Sequence, residues 1–449
     1  MELLCTNLID TYNTNYLDKT DNVTQAVFLN ESEKYLNSTS TPNVKGRQTL
    51  MKLILNHYKK QKPSPELIGG PRSLTLHWSK KYQMIIYTFG EYHSDIMDCD
   101  NLINEKELVE KLRGKCEKGE IYNNKTKRCL KATGKEGKKI IKQYKPEMES
   151  VESFLYELIK TTDVFMDVYL EVPAYSGTQW KNHHSLLQGG LRIERLLTRF
   201  EKCIQYKSRH DEDCQLSRIH YFDVRKENRD GMNDVSKFRA LIQYILSSWP
   251  KNERIELIQE KVTGDPYILN IVRELSGPDY EKFWIKQIDQ NKYVQKELER
   301  SPLKDKILSF IKKITIEDAR RHHSNLNYFS KCILGERKCS PQLLADHLNH
   351  FYELTVSTNA RIIDAFTLAR MFKNFNIDRP SQPFDSSKDQ PISPHNIIIY
   401  AGDAHSETYR RFLEEELDFE LLAKNKAQAI YCLNMDGIPQ PLFSNIPLE

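Results

Sequence analysis

Two copies of a glycine-x-x-histidine pattern are the residues of this chain best suited to chemistry. They span residues 90–93 and 402–405, and each contains a carboxylate, Glu91 in the first and Asp403 in the second. Imidazole and carboxylate groups serve as metal ligands and as general acids or bases. The pattern therefore indicates a hydrolytic site. The plainer alternative is that both histidines only cap turns between a strand and a helix.

A third acid strengthens the case for a metal site. Glu171 closes the apolar run FMDVYLEVP, and the histidines His93 and His405 close the two glycine-containing runs. Two imidazoles and a carboxylate can hold a divalent ion, here Mn, Co or Zn, with one position open to water. Such an ion lowers the pKa of its bound water toward ~7 and so supplies hydroxide at cellular pH. We expect His93, Glu171 and His405 to be the ligands.

Further charged residues are candidates for the other catalytic roles. Glu91 or Asp403 would accept the proton from water, and Arg225 or Arg370 would stabilise a developing oxyanion. The substrate class would be a peptide or a small ester or amide.

Two other functions fit the same residues. In the first, one histidine oriented by Glu91 or Asp403 acts on water as a general base without metal. In the second, the chain is a catalytically inactive scaffold that binds a partner, because a fold does not by itself establish an activity.

Short apolar runs precede all of these residues and predict the elements that position them. YQMIIYTF and HNIIIYA lead into the two glycines, and DVFMDVYLEVP and RIHYFDVR end near Glu171 and Arg225. Runs of this kind are typical of buried parallel strands, and open α/β sheets bind ligands at the carboxyl ends of such strands. SLTLHW and YQMIIYTF are predicted to pair. The fold class is therefore α/β, with a mainly parallel sheet flanked by helices.

The chain divides by composition into several segments. Residues 114–145 are rich in Gly and Lys and hold Cys116 and Cys129, and the stretch after RIHYFDVR is helical by periodicity. The expected segments are an irregular lead-in (1–45), the first part of an α/β core (46–113), a two-cysteine insert (114–145), more of the core (146–234), a helical insertion (235–357) and the last part of the core (358–449).

Composition excludes several classes of protein. The 449 residues carry a net charge of +4, which is too small to indicate a specific nucleic-acid partner. No apolar run reaches the ~20 residues of a membrane helix, and the start of the chain does not resemble a secretory signal. The nine cysteines, an odd number without a CxxC pair, favour reduced thiols. Cys116 and Cys129 are expected to pack or bond together in a small hairpin. We expect an intracellular protein.

The GEYH, LEVP and GDAH segments, in that order, resemble the superfamily that unites Tiki proteases, TraB/PrgY proteins, erythromycin esterases and haem-binding ChaN lipoproteins. The resemblance covers the outer α/β portions, about half of the chain. It implies that His93, Glu171 and His405 are site residues, together with Glu91, Arg225 and Arg370.

The segment CEKGEIYNNKTKRCLKATGKEGKK is similar to the 2-cysteine adaptor domain of large nucleocytoplasmic DNA viruses, except that Glu117 replaces the usual proline. This resemblance implies a viral protein located in the host cytoplasm, at the viral factory, or in the virion. The basic insert 114–145 would then bind a viral or host protein.

Overall fold

The fold is seen in a computed structural model that describes most of the chain outside its amino-terminal region. The described residues are 65–92, 109, 112–123, 126–143, 148–162, 164–173, 196, 200, 217–224, 232–250, 253–375, 391–427, 432–440 and 442–443. The predicted lead-in 1–45 lies outside them, as do two predicted site residues, His93 and Arg225.

A six-stranded mixed sheet forms the centre of the molecule. Its strands are β2 (Ser73–Ser79), β3 (Met84–Glu91), β7 (Met166–Pro173), β8 (Ser217–Asp223), β9 (Asn396–Gly402) and β10 (Glu420–Lys426). They lie in the order β10-β2-β3-β9-β7-β8. The pairs β3–β9, β9–β7 and β7–β8 are parallel, whereas β10–β2 and β2–β3 are antiparallel. The α/β class and the predicted pairing of SLTLHW with YQMIIYTF are confirmed, and the sheet combines both strand directions.

Two short sheets lie outside the large one. The first contains β1 (Leu67–Gly69), β6 (Met148–Ser150) and β11 (Cys432–Asn434), and the second is the hairpin of β4 (Glu120–Asn123) and β5 (Arg128–Lys131). Helix α1 (Lys135–Gln143) follows the hairpin.

Alternating side chains of β7 divide the large sheet into two faces. Met166, Val168, Leu170 and Val172 pack with helix α2 (Val151–Thr161), and we call this the α2 face. Tyr169 points to the other side and packs with the long helical region, so Glu171, two residues on, shares this helix-rich face. Both faces are buried, which explains why β7 reads as an almost continuous apolar run.

The described part of the chain between β8 and β9 is mainly helical. They are α3 (Met232–Ser248), α4 (Arg254–Thr263), α5 (Pro266–Ser276), α6 (Tyr280–Asp289), α7 (Lys292–Leu298), α8 (Lys304–Ile333) and α9 (Pro341–Met371). Helix α9 runs without a break through residue 357, where the sequence suggested a domain boundary. None of the described helices combines the length and the apolar character needed to cross a membrane.

Helix α10 (Asp403–Arg411) begins where β9 ends, and Gly402 is its N-cap residue. The chain continues directly into a π-helical turn, Phe412–Glu416, and then into β10. This order places the second glycine-x-x-histidine pattern at the junction of a buried strand and a helix, as the sequence predicted.

Disulfide bonds correct the expectation of reduced thiols. Cys116 and Cys129 are joined across the β4–β5 hairpin with Cα atoms 5.6 Å apart, and Cys332 is joined to Cys339 between α8 and α9. The odd number of cysteines did not exclude local pairs, because each bond closes a short loop whose ends are already near each other.

Candidate functional site

A buried group of charged side chains lies where β7 and β9 end. We name it the rim cluster, and its members are Glu171, Arg361, Asp364 and His405. Glu171 projects from the last residues of β7, and one of its oxygens, Oε2, accepts a hydrogen bond of 2.7 Å from the backbone N–H of Gly402. His405 lies in the first turn of α10. The structure therefore brings together two of the predicted metal ligands, from residues 234 positions apart in the chain.

Both ring nitrogens of His405 face a carboxylate. Nδ1 lies 2.6 Å from Oδ1 of Asp364, and Nε2 lies 3.3 Å from Oε1 of Glu171. Burial disfavours the charged ring, but Asp364 and Glu171 outweigh burial and raise the pKa of His405 to about 10. In the metal-free chain the ring is therefore an imidazolium at neutral pH.

Arg361 holds the rim cluster from the side of the helices. Its Nη1 donates to Oδ2 of Asp364 at 2.7 Å and to the hydroxyl of Thr408 at 2.5 Å. Its Nε and Nη2 both donate to Asp318 at 3.1 Å. One guanidinium thus connects α8, α9 and α10, and it fixes the carboxylate that in turn orients His405.

The geometry of His405 and Glu171 fits a pair of metal ligands. Two ligand atoms about 2.1 Å from a tetrahedral ion lie about 3.4 Å from each other, and the observed separation of Nε2 and Oε1 is 3.3 Å. Asp364 accepts from the other nitrogen, which is the usual way in which a carboxylate orients a ligating histidine. His93, the third predicted ligand, lies outside the described residues.

Asp364 was not among the predicted site residues. The signal that could have revealed it is an acid inside an apolar helical stretch, RIIDAF, because a fully buried carboxylate needs charged partners. The sequence alone did not indicate that this part of α9 would lie against α10.

Glu91 lies on the other face of the sheet. Tyr87 and Phe89 of the same strand pack on the α2 face, and Glu91 continues that alternation. Its carboxylate accepts a hydrogen bond from the hydroxyl of Tyr400, a residue that also belongs to the α2 face. The structure thus separates Glu91 from His405 by the thickness of the sheet.

Asp403 is held by the antiparallel part of the sheet. Its Oδ1 accepts a hydrogen bond of 2.5 Å from the hydroxyl of Ser73, and Nη1 of Arg410 lies 3.8 Å away. The hydrogen-bonded side chains of Asp403 and Ser73 occupy the space above Gly90. A Cβ atom built on Gly90 would lie 2.3 Å from Oδ1 of Asp403. The glycine of the first pattern is therefore needed for the close approach of the second.

The sequence placed Arg370 in the predicted site, and the structure corrects this placement. Its Nε donates to Nδ1 of His220 at 3.2 Å, and its Nη1 donates to Glu297 at 3.2 Å. His220 in turn lies 2.7 Å from Asp167, near the start of β7. Because Asp167 and Glu171 are four residues apart on one strand, about 13 Å separates the two ends. Arg370 thus lies at the end of the strands opposite to the rim cluster, and we call this end the opposite edge of the sheet.

This second group, the opposite-edge cluster, consists of Asp167, Arg218, His220, Glu297 and Arg370. Arg218 binds Asp167 through two hydrogen bonds of 2.5 and 3.0 Å. Burial is the largest influence on His220 and, with Arg370 and Arg218, lowers its pKa to about 3, although Asp167 opposes the change. The ring is neutral, and it stacks between Tyr169 and Phe375. The arrangement is that of a buried structural network.

Comparison with known proteins adds no relative to these observations: no family model, no curated protein and no solved structure matches this chain significantly.

Proposed function

We propose that this protein is a metal-dependent hydrolase that acts on amide or ester bonds, with His405 and Glu171 among the metal ligands. The observation that carries the proposal is the 3.3 Å separation of Nε2 of His405 from Oε1 of Glu171 at the end of a buried strand. The resemblance of the GEYH, LEVP and GDAH segments to the superfamily of Tiki proteases and erythromycin esterases supports the same conclusion.

Three members of the rim cluster, Asp364, His405 and Glu171, have defined tasks in this proposal. Asp364 holds Nδ1 of His405 and so directs Nε2 toward Glu171. The backbone N–H of Gly402 holds one oxygen of Glu171, Oε2, so that the other oxygen, Oε1, faces Nε2 of His405. A bound Mn, Co or Zn ion would supply a Lewis acid and an activated water. His93 would complete the ligand set, and Arg225 remains the candidate for the oxyanion; both lie outside the described residues.

The metal-free version of the mechanism is less well supported. A general base needs a lone pair on an imidazole nitrogen at cellular pH. Here both nitrogens of His405 face carboxylate oxygens, an arrangement that favours two N–H groups. As a metal ligand, His405 would need no proton on Nε2, because metal binding to histidine releases a proton.

The two acids that the sequence suggested as proton acceptors differ in position. Glu91 lies on the opposite face of the sheet, and Asp403 is held by Ser73 and Arg410. Of the two, we retain Asp403 as the candidate acceptor, because it shares the first turn of α10 with His405.

A second candidate function is that of an adaptor. The β4–β5 hairpin is closed by the disulfide of Cys116 and Cys129, and it carries exposed basic side chains such as Lys127 and Arg128. Its resemblance to the 2-cysteine adaptor domain supports a viral protein of the host cytoplasm, at the viral factory, or of the virion. The hairpin would bind an acidic surface of a viral or host partner.

The decisive experiment measures bound metal and hydrolysis together. Untagged protein is purified without chelator, its metal content is determined by elemental analysis, and it is assayed against fluorogenic esters and a peptide library. We expect His405→Ala and Glu171→Gln to hold one ion fewer than the wild-type protein and to lose the activity, and His395→Gln, a change of an exposed histidine, to match the wild type in both. Wild-type protein that binds no cation and hydrolyses nothing would refute the proposal. Partner capture through 114–145 that survives His405→Ala would support the adaptor function instead.

A further inference from the structure

A second group of metal-binding side chains lies in the helical region, away from the rim cluster. Helices α8 and α9 are joined by a short loop and the Cys332–Cys339 disulfide, so they form an antiparallel hairpin. His322 projects from α8. His350 and Glu353 project from α9, and their spacing of three residues places them on one side of that helix.

The three side chains converge on one point. Their ligand atoms all lie within 4.8 Å of one another. Oε2 of Glu353 lies 3.9 Å from Nδ1 of His322 and 3.6 Å from Nδ1 of His350, and the two rings are 5.8 Å apart between centroids. These separations are slightly longer than the ~3.4 Å between ligands on a tetrahedral ion. A small movement of Glu353, whose side chain is 58 % exposed, would shorten both distances from its carboxylate to the histidine nitrogens.

The histidine nitrogens at this point lack the partners that buried polar atoms need. His322 is only 8 % exposed, and within the described residues its Nδ1 has no hydrogen-bond partner. Nδ1 of His350 likewise has no hydrogen-bond partner among the described residues. A buried polar atom without a partner costs about 1–3 kcal/mol, so two such atoms facing one carboxylate need an explanation. A cation between them would satisfy both nitrogens and the carboxylate at once.

We propose that His322, His350 and Glu353 form a binding site for a divalent transition-metal ion that links α8 to α9. Two imidazoles and one carboxylate are ligands of Zn²⁺ and of the neighbouring ions Co²⁺ and Ni²⁺, whereas Mg²⁺ and Ca²⁺ require mostly oxygen ligands. Water would take the remaining position. The ion would brace the helical hairpin, whose α9 also carries Asp364 of the rim cluster.

The test measures the affinity for Zn²⁺ in a chain that lacks the rim site. Untagged His405→Ala protein with intact disulfides is stripped of metal and titrated with Zn²⁺ against a chromogenic chelator. We expect it to bind one ion tightly, and we expect His350→Gln in this background to weaken that binding at least about 100-fold. The size follows because even outer partners of a metal ligand are worth about 10- to 100-fold in affinity. Co²⁺ loading should give the visible absorption of a tetrahedral site, lost in the same variant.

His323→Gln is the matched control, because this neighbouring ring stacks on Tyr280 with centroids 3.8 Å apart and belongs to no part of the proposed site. It should leave Zn²⁺ affinity unchanged. In the wild-type chain Zn²⁺ should also raise the melting temperature by more than it does in His350→Gln, a measurement that does not require His405→Ala to fold. Equal Zn²⁺ affinity and equal thermal shifts with and without His350→Gln would overturn the inference. Because the rim site is absent from the first titration, this result is independent of the proposed hydrolase.

Discussion

Oδ1 of Asp364 lies 2.6 Å from Nδ1 of His405, and this contact joins a helix of the long helical region to the helix that follows the last parallel strand. The contact fixes the plane of the imidazole and determines which nitrogen faces Glu171. It makes Asp364, a residue of α9, the support of a site built on the sheet.

The first prediction concerns that support. Asp364→Asn keeps the size of the side chain but removes the charge that orients His405. We expect metal affinity, and any hydrolysis that depends on it, to fall about 10- to 100-fold. Isothermal titration with Zn²⁺ measures the change, in a His350→Gln background that removes the second proposed site. Thr367→Ser, one turn further along α9 and bonded to the carbonyl of Ile363, serves as the control. An Asp364→Asn protein with wild-type affinity would contradict the assigned role.

The second prediction concerns Arg361, which is paired with both Asp318 and Asp364. Arg361→Met leaves two carboxylates in a largely buried position without their cation, and we expect it to lower the free energy of unfolding by about 3 kcal/mol or more. Denaturant unfolding measures the change. Arg320→Met is the matched control, because it breaks the exposed pair with Glu281 and should lower the free energy of unfolding far less than Arg361→Met does.

The third prediction concerns acid pH and His220. The pKa of His220 is about 3 in the folded chain, whereas the ordinary pKa of histidine, which applies to the unfolded chain, is 6.5. Between pH 3 and pH 6.5 the unfolded chain therefore binds a proton that the folded chain does not. Stability is therefore lost as the pH falls from 6.5 toward 3, with a slope of up to about 1.4 kcal/mol per pH unit. Asp167, Arg218, Arg370 and Tyr169 are the charged or titratable groups that face the ring.

Unfolding measured between pH 6.5 and 4 tests this prediction. In that range Asp167 stays ionised, because the hydrogen bonds from His220 and Arg218 outweigh burial and hold the pKa of its carboxyl below the usual value. We expect His220→Gln to be less stable than wild type at pH 7 but to show a shallower acid slope. Parallel slopes for the two proteins would show that His220 does not carry the effect.

The fourth prediction concerns the close approach at Gly90. A Cβ atom there would lie 2.3 Å from Oδ1 of Asp403 and 2.5 Å from Oγ of Ser73. Gly90→Ala should therefore destabilise the protein by about 1–3 kcal/mol. Combining it with Ser73→Ala removes one of the two clashing atoms, so the double variant should lose less than the sum of the single variants. Simple additivity in denaturant unfolding would argue against the clash.

The fifth prediction concerns the disulfide of the β4–β5 hairpin. Cys116→Ser removes a bond that closes a loop with a sequence separation of 13. Such bonds are worth about 2–4 kcal/mol, chiefly through the unfolded chain. We expect limited proteolysis to cleave the variant within 114–143 under conditions in which the wild-type hairpin is resistant. The large sheet should keep its melting temperature, since the hairpin forms a sheet of its own.

The sequence revealed most of the large sheet because its central strands are buried on both sides. The runs that became β3, β7 and β9 are predominantly apolar, as burial of both faces requires, and the acids of β7 lie buried in the charged clusters. Strand β10 was not predicted, because an edge strand with exposed Glu420 and Lys426 resembles a loop or a solvated helix.

The site was harder to predict than the sheet, for geometric reasons. Side chains alternate between the two faces along β3, so Glu91 lies on the same face as Phe89, the α2 face. This alternation could have been applied to the sequence. Arg370 follows Asp364 by six residues, about 9 Å along α9, which is enough to carry it to the other edge of the sheet. No pattern in the sequence tells which turn of a long helix lies over the end of a strand.

The unbroken course of α9 from Pro341 to Met371 sets a limit on shortening this protein. A fragment made by deleting residues 235–357 would sever that helix near its middle. The remaining stub would begin only a few residues before Arg361 and Asp364, without the preceding turns or Asp318 to anchor it. The helices of this region thus support the rim cluster, and they must be expressed together with the sheet.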